Sequence, residues 1–363
     1  MVDLDTPFKS PRSIFDSSFR PADWCSAIND WTSMAGENPV LCVEIEEEFM
    51  QWIWNLRISY PNDEIYLADD DVSGAFRWLK YHPNLLAMHT SIQAGFAVFN
   101  SGGTFGGSTT PPNWDRLAQG RRSLARWLWC NCPTVVQDAA QYLPPLQFSA
   151  PPTLSEVASF TPAFRDSLNP GVFDEHGNRL PPPFPHHVDD KPDADIRELL
   201  PRAVSCSTLS LYHILGFPAK VPLVPNPLSL EKLVALYNWE RRIVGRLWNT
   251  RRMTLGMLPH KRTELLARLG VWQTKPSFDL REIAELLGVI GFHIRYTPWA
   301  RPWAFAIQNR LRSLLLSIWG LHARLHARRE PAREAELRQV LPSSIYSRIK
   351  SILSREKAAF IWA

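Results

Sequence analysis

The chain has 363 residues, 45% of them hydrophobic and 21% charged, and its formal net charge is +4. This composition is that of a folded protein with two or three domains of about 150 residues each, and it excludes wholesale disorder. The sequence has no apolar run of about 18 residues, no apolar segment at its start and no CxxC pair among its five cysteines, so we expect no membrane contact, zinc site or disulfide framework. We therefore expect an intracellular protein, cytoplasmic or nuclear.

The first predicted element is a helix from about Glu44 to Leu56, because Phe49, Trp52, Ile53 and Leu56 recur at helical spacing. A strand follows over residues 64–72 and ends in carboxylates. We then expect a short helix over residues 75–79, a strand over residues 96–99, a glycine-rich turn over residues 101–107 and a helix over residues 113–129.

Proline punctuates residues 143–185, which we interpret as an insertion or long loop with a small hairpin around residues 176–178. A helix is predicted from about Asp195 to Leu215, where Gly216 would stop it. From Leu228 onward the pattern is mostly helical. It is clearest over residues 279–287, which Gly288 would end, and a basic helix is predicted over residues 310–328.

Aspartates follow two predicted strands that lie far apart in the sequence. Asp71 ends the first strand, and the Asp189-Asp190 pair follows the apolar Val188. Nucleotidyl transfer needs such an arrangement, because two Mg²⁺ ions about 4 Å apart activate a 3′-hydroxyl and hold the triphosphate. Mg²⁺ prefers oxygen ligands, so aspartate is the expected residue type. The ordinary alternative is that each aspartate forms a turn or caps a helix.

Positive charge is concentrated in the second half of the chain. Residues 240–270 carry 8 Lys or Arg against 2 Asp or Glu, and residues 301–363 carry 12 against 4. An acidic first half and a basic second half suit a polyanion held against a carboxylate centre. Solvated helix or hairpin faces give the same imbalance, so both interpretations stay open on charge alone.

Several segments, taken in order, resemble motifs of the reverse transcriptases of retrotransposons, in the group with LTR and tyrosine-recombinase elements. Residues 71–76 (DVSGAF), 105–114 (FGGSTTPPNW) and 187–190 (HVDD) match the palm motifs. Residues 243–255 and 258–261 are similar to the primer grip, residues 280–288 to the thumb, and residues 301–303 to the Arg-Pro-aromatic step after it. The resemblance covers about residues 51–315.

The resemblance implies a role for each matching residue. Asp71, Asp189 and Asp190 would be catalytic and would hold two Mg²⁺ ions, or Mn²⁺. Nucleotide binding is implied for Val72, Phe76, Phe105, Gly106, Thr110, Pro111 and Lys220. Most of these have an ordinary alternative, which is a core aromatic for Phe76, a core position for Phe105, a tight turn for Gly106, Thr110 and Pro111, and a solvated lysine for Lys220.

The expected partners are an RNA or DNA template-primer and deoxynucleoside triphosphates. Primer and template phosphates would be contacted by Arg241, Arg242, Arg246, Arg251, Arg252, Lys261 and Arg262, and such contacts give affinity without sequence readout. The oligomeric state stays open.

The implied fold is α+β, a right-hand polymerase-like palm with a small antiparallel sheet flanked by helices, followed by a helical thumb. We expect a remnant fingers or N-terminal segment at residues 1–62 and a palm at residues 63–225, with a proline-rich insertion at about residues 140–185. The primer grip and thumb would occupy residues 226–320, and a basic helical tail residues 321–363.

Three features depart from the family pattern. The segment before Asp71 is short for a fingers subdomain, so we expect an N-terminal truncation, with Arg57 as the sole nearby candidate for gripping a triphosphate. Pro192 would remove a hydrogen-bond donor from the strand that follows the aspartate pair. The stretch between the second and third motifs is long. Three hypotheses follow: an RNA-directed DNA polymerase, a non-catalytic nucleic-acid-binding remnant, and a helical scaffold whose motifs match by accident.

Overall fold

The computed structural model describes residues 45–80, 82–83, 90–93, 96–99, 101–103, 110–160, 171–218, 226–233, 236–274, 280–294, 301–302 and 304–309. The chain divides into two compact units, Met1–Leu258 and Pro259–Ala363. This boundary falls within the segment 226–320 expected to form the primer grip and thumb, and it divides residues 258–261, which resemble part of the primer grip.

Helices and strands are mixed along the first unit. They are α1 (Ile45–Ser59), β1 (Ile65–Asp71), a 3₁₀ helix (Ala75–Trp78), β2 (Thr90–Gln93), β3 (Phe96–Phe99), α2 (Thr110–Asn131), α3 (Val135–Ala139), α4 (Leu154–Val157), β4 (Asp190–Ile196), α5 (Leu200–Leu215), α6 (Leu230–Leu233), β5 (Glu240–Ile243), β6 (Arg246–Asn249) and β7 (Thr254–Met257). Within the described ranges they form three small antiparallel sheets, β1-β4, β2-β3 and β5-β6-β7. The structure is thus mixed helix and sheet, as an α+β fold requires.

Helix α1 is part of the core of the first unit. Phe49, Trp52, Ile53 and Leu56 are all at most 6% exposed, as their helical spacing predicts,. They pack with Trp248 and the apolar residues of one face of β1. This part of the segment expected to be a remnant is therefore integral to the fold, while residues 1–44 lie outside the described residues.

Strand β1 carries apolar residues on both faces because it is covered on both sides. Ile65 and Leu67 pack with α1, whereas Tyr66 and Ala68 pack in a second cluster with residues of α2 and α5. The side chains alternate between the two clusters with the period of two that a strand imposes.

The segment from Asp190 to Ile196 is strand β4, so the prediction of a helix starting at Asp195 is wrong at that end. Asp195 lies opposite Tyr66 in the antiparallel pair with β1, and its buried carboxylate accepts a hydrogen bond of 2.7 Å from Arg179. The helix begins at Leu200 and ends before Gly216, whose φ is +100°.

Pro192 is accommodated in β4 without loss of a ladder hydrogen bond. It lies opposite Asp69, two positions from the pair Asp71–Asp190. The N–H of Val72 donates to the carbonyl of Asp189 at 3.1 Å, so Asp71–Asp190 is a non-hydrogen-bonded pair, and by alternation Asp69–Pro192 is one too. The position that lacks an N–H therefore faces away from β1.

The expectation of mostly helical structure after Leu228 is wrong for residues 240–257. Strands β5, β6 and β7 form a meander there, and the two-residue turn between β5 and β6 is Val244-Gly245, with φ values of 47° and 72°. Two consecutive positive φ values match a type I′ turn, which fits the twist of a hairpin. Four-residue strands are too short for their alternation to stand out from a helical pattern.

The second unit contains α7 (Pro259–Thr274) and α8 (Leu280–Ile294), and residues 304–309 are also helical. Helix α8 continues through Gly288, which was expected to end it, because the glycine costs only about 1 kcal/mol and apolar residues follow,. Leu286 of this helix is 2% exposed. The basic helix over residues 310–328 and the tail 321–363 lie outside the described residues.

The small hairpin predicted around residues 176–178 is confirmed. Phe173 pairs with Arg179, and the N–H of Asp174 donates to the carbonyl of Asn178.

Among the described helices, none combines the length and the apolar character that crossing a bilayer requires.

We predict that Leu56→Ala lowers the free energy of unfolding of the first unit by about 2–5 kcal/mol, because it leaves a cavity in the core. Urea denaturation followed by circular dichroism measures this change. Leu154→Ala is the matched control, since that side chain is 91% exposed, and it should change stability by less than about 0.5 kcal/mol. Equal effects of the two would mean that α1 is not part of the core.

Candidate metal centre

Asp71, Asp189 and Asp190 come together in space. One carboxylate oxygen of each lies within 4.8 Å of the others, and all three residues are partly exposed. Among the described residues this is the one cluster of three or more His, Cys, Asp or Glu side chains with that spacing. The three aspartates predicted from distant parts of the sequence therefore share one surface.

The aspartates are brought together by the β1–β4 pair and the tight turn before β4. Asp71 ends β1 and lies directly opposite Asp190, and side chains of such a non-hydrogen-bonded pair stand close together on one face. His187 and Asp190 exchange backbone hydrogen bonds of 2.7 and 3.0 Å, which close the turn around Val188 and Asp189.

The end of β1 is held from both edges. On one side the N–H of Val72 donates to Asp189, as above. On the other, the carbonyl of Asp71 accepts from the N–H of Ser229 at 2.9 Å, and the N–H of Ser73 donates to Pro227 at 2.8 Å. These contacts fix the backbone that carries Asp71.

Asp70, between Asp69 and Asp71, points to the opposite face and is only 2% exposed. Arg121 Nη2 donates to both of its oxygens, at 2.8 and 2.6 Å, and the hydroxyl of Ser207 donates to it as well. Burial alone would raise the pKa of Asp70, but Arg121 and Lys191 outweigh it and hold that pKa below its usual range. Asp70 is thus a structural residue.

A second buried ion pair lies beside Asp70. Lys191 donates to both oxygens of Asp193, at 2.7 and 2.8 Å, and its ammonium lies 4.7 Å from the centre of the Phe184 ring. Burial lowers the pKa of Lys191 and raises the pKa of Asp193. Beneath the carboxylate cluster there are therefore two cations, from Arg121 and Lys191.

Helix α2 supports the aspartate turn. The indole N–H of Trp114 donates to the carbonyl of Val188 at 2.5 Å, and His186 Nε2 lies 3.0 Å from Asp115 Oδ1. Burial lowers the pKa of His186, although Asp115 opposes the effect. Sequence reasoning missed Trp114, Arg121 and Ser207 as supports, because nothing in their local pattern identifies a distant partner.

The residues implied in nucleotide binding are placed only in part. Phe105, Gly106 and Lys220 lie outside the described residues. Val72 is buried at the end of β1, and Thr110 and Pro111 open α2. Phe76 is 7% exposed and packs edge-on against Trp114, with ring centres 6.5 Å apart. Phe76 is thus a core aromatic, and a contact of its exposed edge with a nucleotide stays a prediction.

Arg246 and Arg251, predicted to contact phosphates, form internal ion pairs instead. Arg246 is 4% exposed and donates to Glu46 at 2.7 Å. Arg251 bridges Glu64 and Glu156. Both predictions are corrected, because a phosphate contact would require these guanidinium groups to leave their partners.

Four of the other predicted phosphate contacts have side chains that reach the surface. Arg242, Arg252 and Arg262 are exposed, and Lys261 is half-buried. Arg241 Nη2 lies 3.7 Å from Asp69 Oδ1, which places it on the same face of β1 as Asp71. These five side chains stay candidates.

Arg57 is not placed to grip a triphosphate. It is 1% exposed, and its guanidinium donates to the backbone carbonyls of Tyr60, Pro61, Asp63 and Thr250. Burial lowers the pKa of Arg57 to about 10, although Glu64 and Asp63 oppose the effect. It is a structural residue that ties the end of α1 to the start of β1.

No protein-family model matches the chain, and no curated protein matches it. The chemical interpretation of the cluster therefore depends on its own geometry and on the order of the motifs around it.

We predict opposite effects of neutralising adjacent aspartates on β1. Asp70→Asn should lower the free energy of unfolding by about 3 kcal/mol, because it leaves Arg121 buried without its counter-charge. Asp71→Asn should leave that free energy unchanged or raise it by up to about 1 kcal/mol, because it removes one of three clustered like charges. Urea denaturation without divalent cations measures both. A loss for Asp71→Asn as large as that for Asp70→Asn would contradict the assignment of the two faces.

Proposed function

We propose that this chain is an RNA-directed DNA polymerase of the reverse transcriptase type. The observation that carries the proposal is the approach of Asp71, Asp189 and Asp190 to within 4.8 Å of one another. The reaction would join the primer 3′-hydroxyl to the α-phosphorus of a deoxynucleoside triphosphate and release pyrophosphate. The cluster supports the proposal because it joins carboxylates from both segments that resemble the palm aspartate motifs.

The architecture around the cluster supports a polymerase-like palm. The two aspartate motifs lie on the antiparallel pair of β1 and β4. Asp71 is the last residue of β1, Asp189 lies in the turn before β4, and Asp190 is the first residue of β4. Residues of α2 and α5 pack in the core on one face of this pair. A rigid sheet with helices behind it holds carboxylates in fixed positions, which metal-assisted phosphoryl transfer requires.

The donor set of the cluster fits Mg²⁺ or Mn²⁺. It contains three carboxylates and no sulfur or imidazole donor, and hard divalent cations prefer such oxygen ligands,. Asp71, Asp189 and Asp190 would hold two ions, with the carbonyl of Val72 as a further ligand. When bound, such ions activate the 3′-hydroxyl and neutralise the developing charge on the triphosphate.

The surface arginines of the β5–β7 meander support binding of a template-primer. Arg242 and Arg252 are exposed, and Arg241 lies beside Asp69 near the cluster. Side chains of this kind bind phosphates without reading sequence. RNA or DNA template-primer and deoxynucleoside triphosphates are the partners that this chemistry fits.

One observation favours the second candidate, a nucleic-acid-binding remnant without catalysis. Arg57 is the basic residue that the sequence suggested for gripping the triphosphate. Its guanidinium instead donates hydrogen bonds to backbone carbonyls. An accidental match of motifs on a scaffold is less favoured, because it gives no reason for three aspartates from distant segments to converge.

We predict Mg²⁺- or Mn²⁺-dependent extension of a DNA primer on an RNA template, measured on gels with labelled primer. Asp189→Asn should reduce the extension rate about a thousandfold, which corresponds to about 4 kcal/mol of transition-state stabilisation. Glu175→Gln should leave the rate unchanged, since that carboxylate is exposed on the hairpin at residues 173–179 and is not part of the cluster.

Two outcomes would count against catalysis. If the unmodified protein binds the template-primer and extends nothing, the remnant is the correct interpretation. If Asp189→Asn extends primers as fast as the unmodified protein, the cluster is not the active site.

We predict that Arg242→Ala combined with Arg252→Ala weakens duplex binding and reduces its salt dependence. Each lost phosphate contact should lower the slope of log affinity against log salt by about 0.9, and the pair by about 2. Fluorescence anisotropy over a salt series measures the slope. Arg116→Ala with Arg126→Ala is the matched control, because both residues are exposed on α2, and it should leave the slope unchanged. If both double variants gave the same slope, the meander would not be part of the nucleic-acid interface.

A further inference from the structure

The turn that presents Asp189 and Asp190 contains a residue in an unfavourable conformation. Val188 has a φ of +55°, in the left-handed region that β-branched residues rarely occupy. Such a conformation persists only where the surroundings hold it in place. The sequence alone therefore does not account for the shape of the aspartate turn.

A side chain from outside the turn forms a hydrogen bond with the backbone of Val188. The indole N–H of Trp114 donates to the carbonyl of Val188 at 2.5 Å. Trp114 is 4% exposed, and Phe76 packs edge-on against its ring. The neighbouring Asp115 contacts His186 at 3.0 Å, just before the turn. The start of α2 thus contacts the turn and the residue that leads into it.

We propose that Trp114 is a positioning residue that holds the turn in the left-handed conformation and so directs Asp189 and Asp190 towards Asp71. The carbonyl of Val188 can meet the indole N–H only while the peptide plane keeps its present orientation, which depends on the backbone angles of Val188. Loss of that hydrogen bond lets the turn relax, and the three carboxylates separate. The inference rests on the proposed function for the nature of the ligand, a divalent cation.

The chain offers a matched control for a lost indole hydrogen bond. Trp52 donates to the carbonyl of Ala194 at 2.8 Å, on the same strand β4 but away from the aspartate turn. Both tryptophans are buried and both bond to a backbone carbonyl. Trp52→Phe and Trp114→Phe therefore remove the same kind of contact and should lower stability to a similar extent.

The test measures binding of Mn²⁺ alone, by electron paramagnetic resonance of the free ion, to the full chain and its variants. Trp114→Phe should weaken Mn²⁺ binding tenfold or more, a size typical for lost supports of metal ligands, whereas Trp52→Phe should leave it unchanged. Val188→Asn combined with Trp114→Phe should restore binding to within about threefold, because asparagine tolerates the left-handed region.

Each result decides the inference. Equal binding by the unmodified protein and Trp114→Phe, equal weakening by both tryptophan variants, or no restoration by Val188→Asn would each overturn it and leave the proposed function standing. If the unmodified protein binds no Mn²⁺, both the proposed function and this inference are wrong. If Trp114→Phe alone does not fold, the double variant must fold and bind Mn²⁺, and its failure to do so overturns the inference.

Discussion

The antiparallel pairing of β1 with β4 is the interaction on which the site depends. It brings Asp71 directly opposite Asp190 and lets the N–H of Val72 bind the carbonyl of Asp189. A shift of one residue in this register would turn Asp71 towards the core and Asp70 towards solvent. The ion pair between Asp70 and Arg121 opposes such a shift, because the slipped strand would leave Arg121 buried without a counter-charge.

Placing three carboxylates together has an electrostatic cost, and two further carboxylates, Asp70 and Asp193, lie buried on the other face of the same strand pair. Arg121 and Lys191 lie on the other face of the same strand pair, each bound to a buried carboxylate. Their charges are screened little, since both side chains are buried. The two cations thus neutralise carboxylates that would otherwise add to the repulsion among Asp71, Asp189 and Asp190.

Period and spacing predicted the elements that follow a local rule. Helix α1 shows its buried face at Phe49, Trp52 and Leu56, and β1 ends at the expected carboxylates. Alternation along a strand predicts that Asp70 and Asp71 point to opposite faces of β1. That Arg121 is the partner of Asp70 depends on tertiary packing, which the local sequence does not reveal. The same limit applies to Arg246, whose partner Glu46 lies 200 positions away, and to Asp195 and Ile196, whose pairing with β1 cannot be read from the local pattern.

Pro192 has a consequence for association between molecules. Its position faces the outer edge of β4, where it offers no N–H, and the outward carbonyl of Ala194 is already bound by the indole of Trp52. An exposed strand edge normally invites the backbone of another chain to extend the sheet, and proline together with covering side chains prevents this. The edge beside the carboxylate cluster is thus closed to strand addition, which keeps a second chain from pairing with β4 next to the three aspartates,.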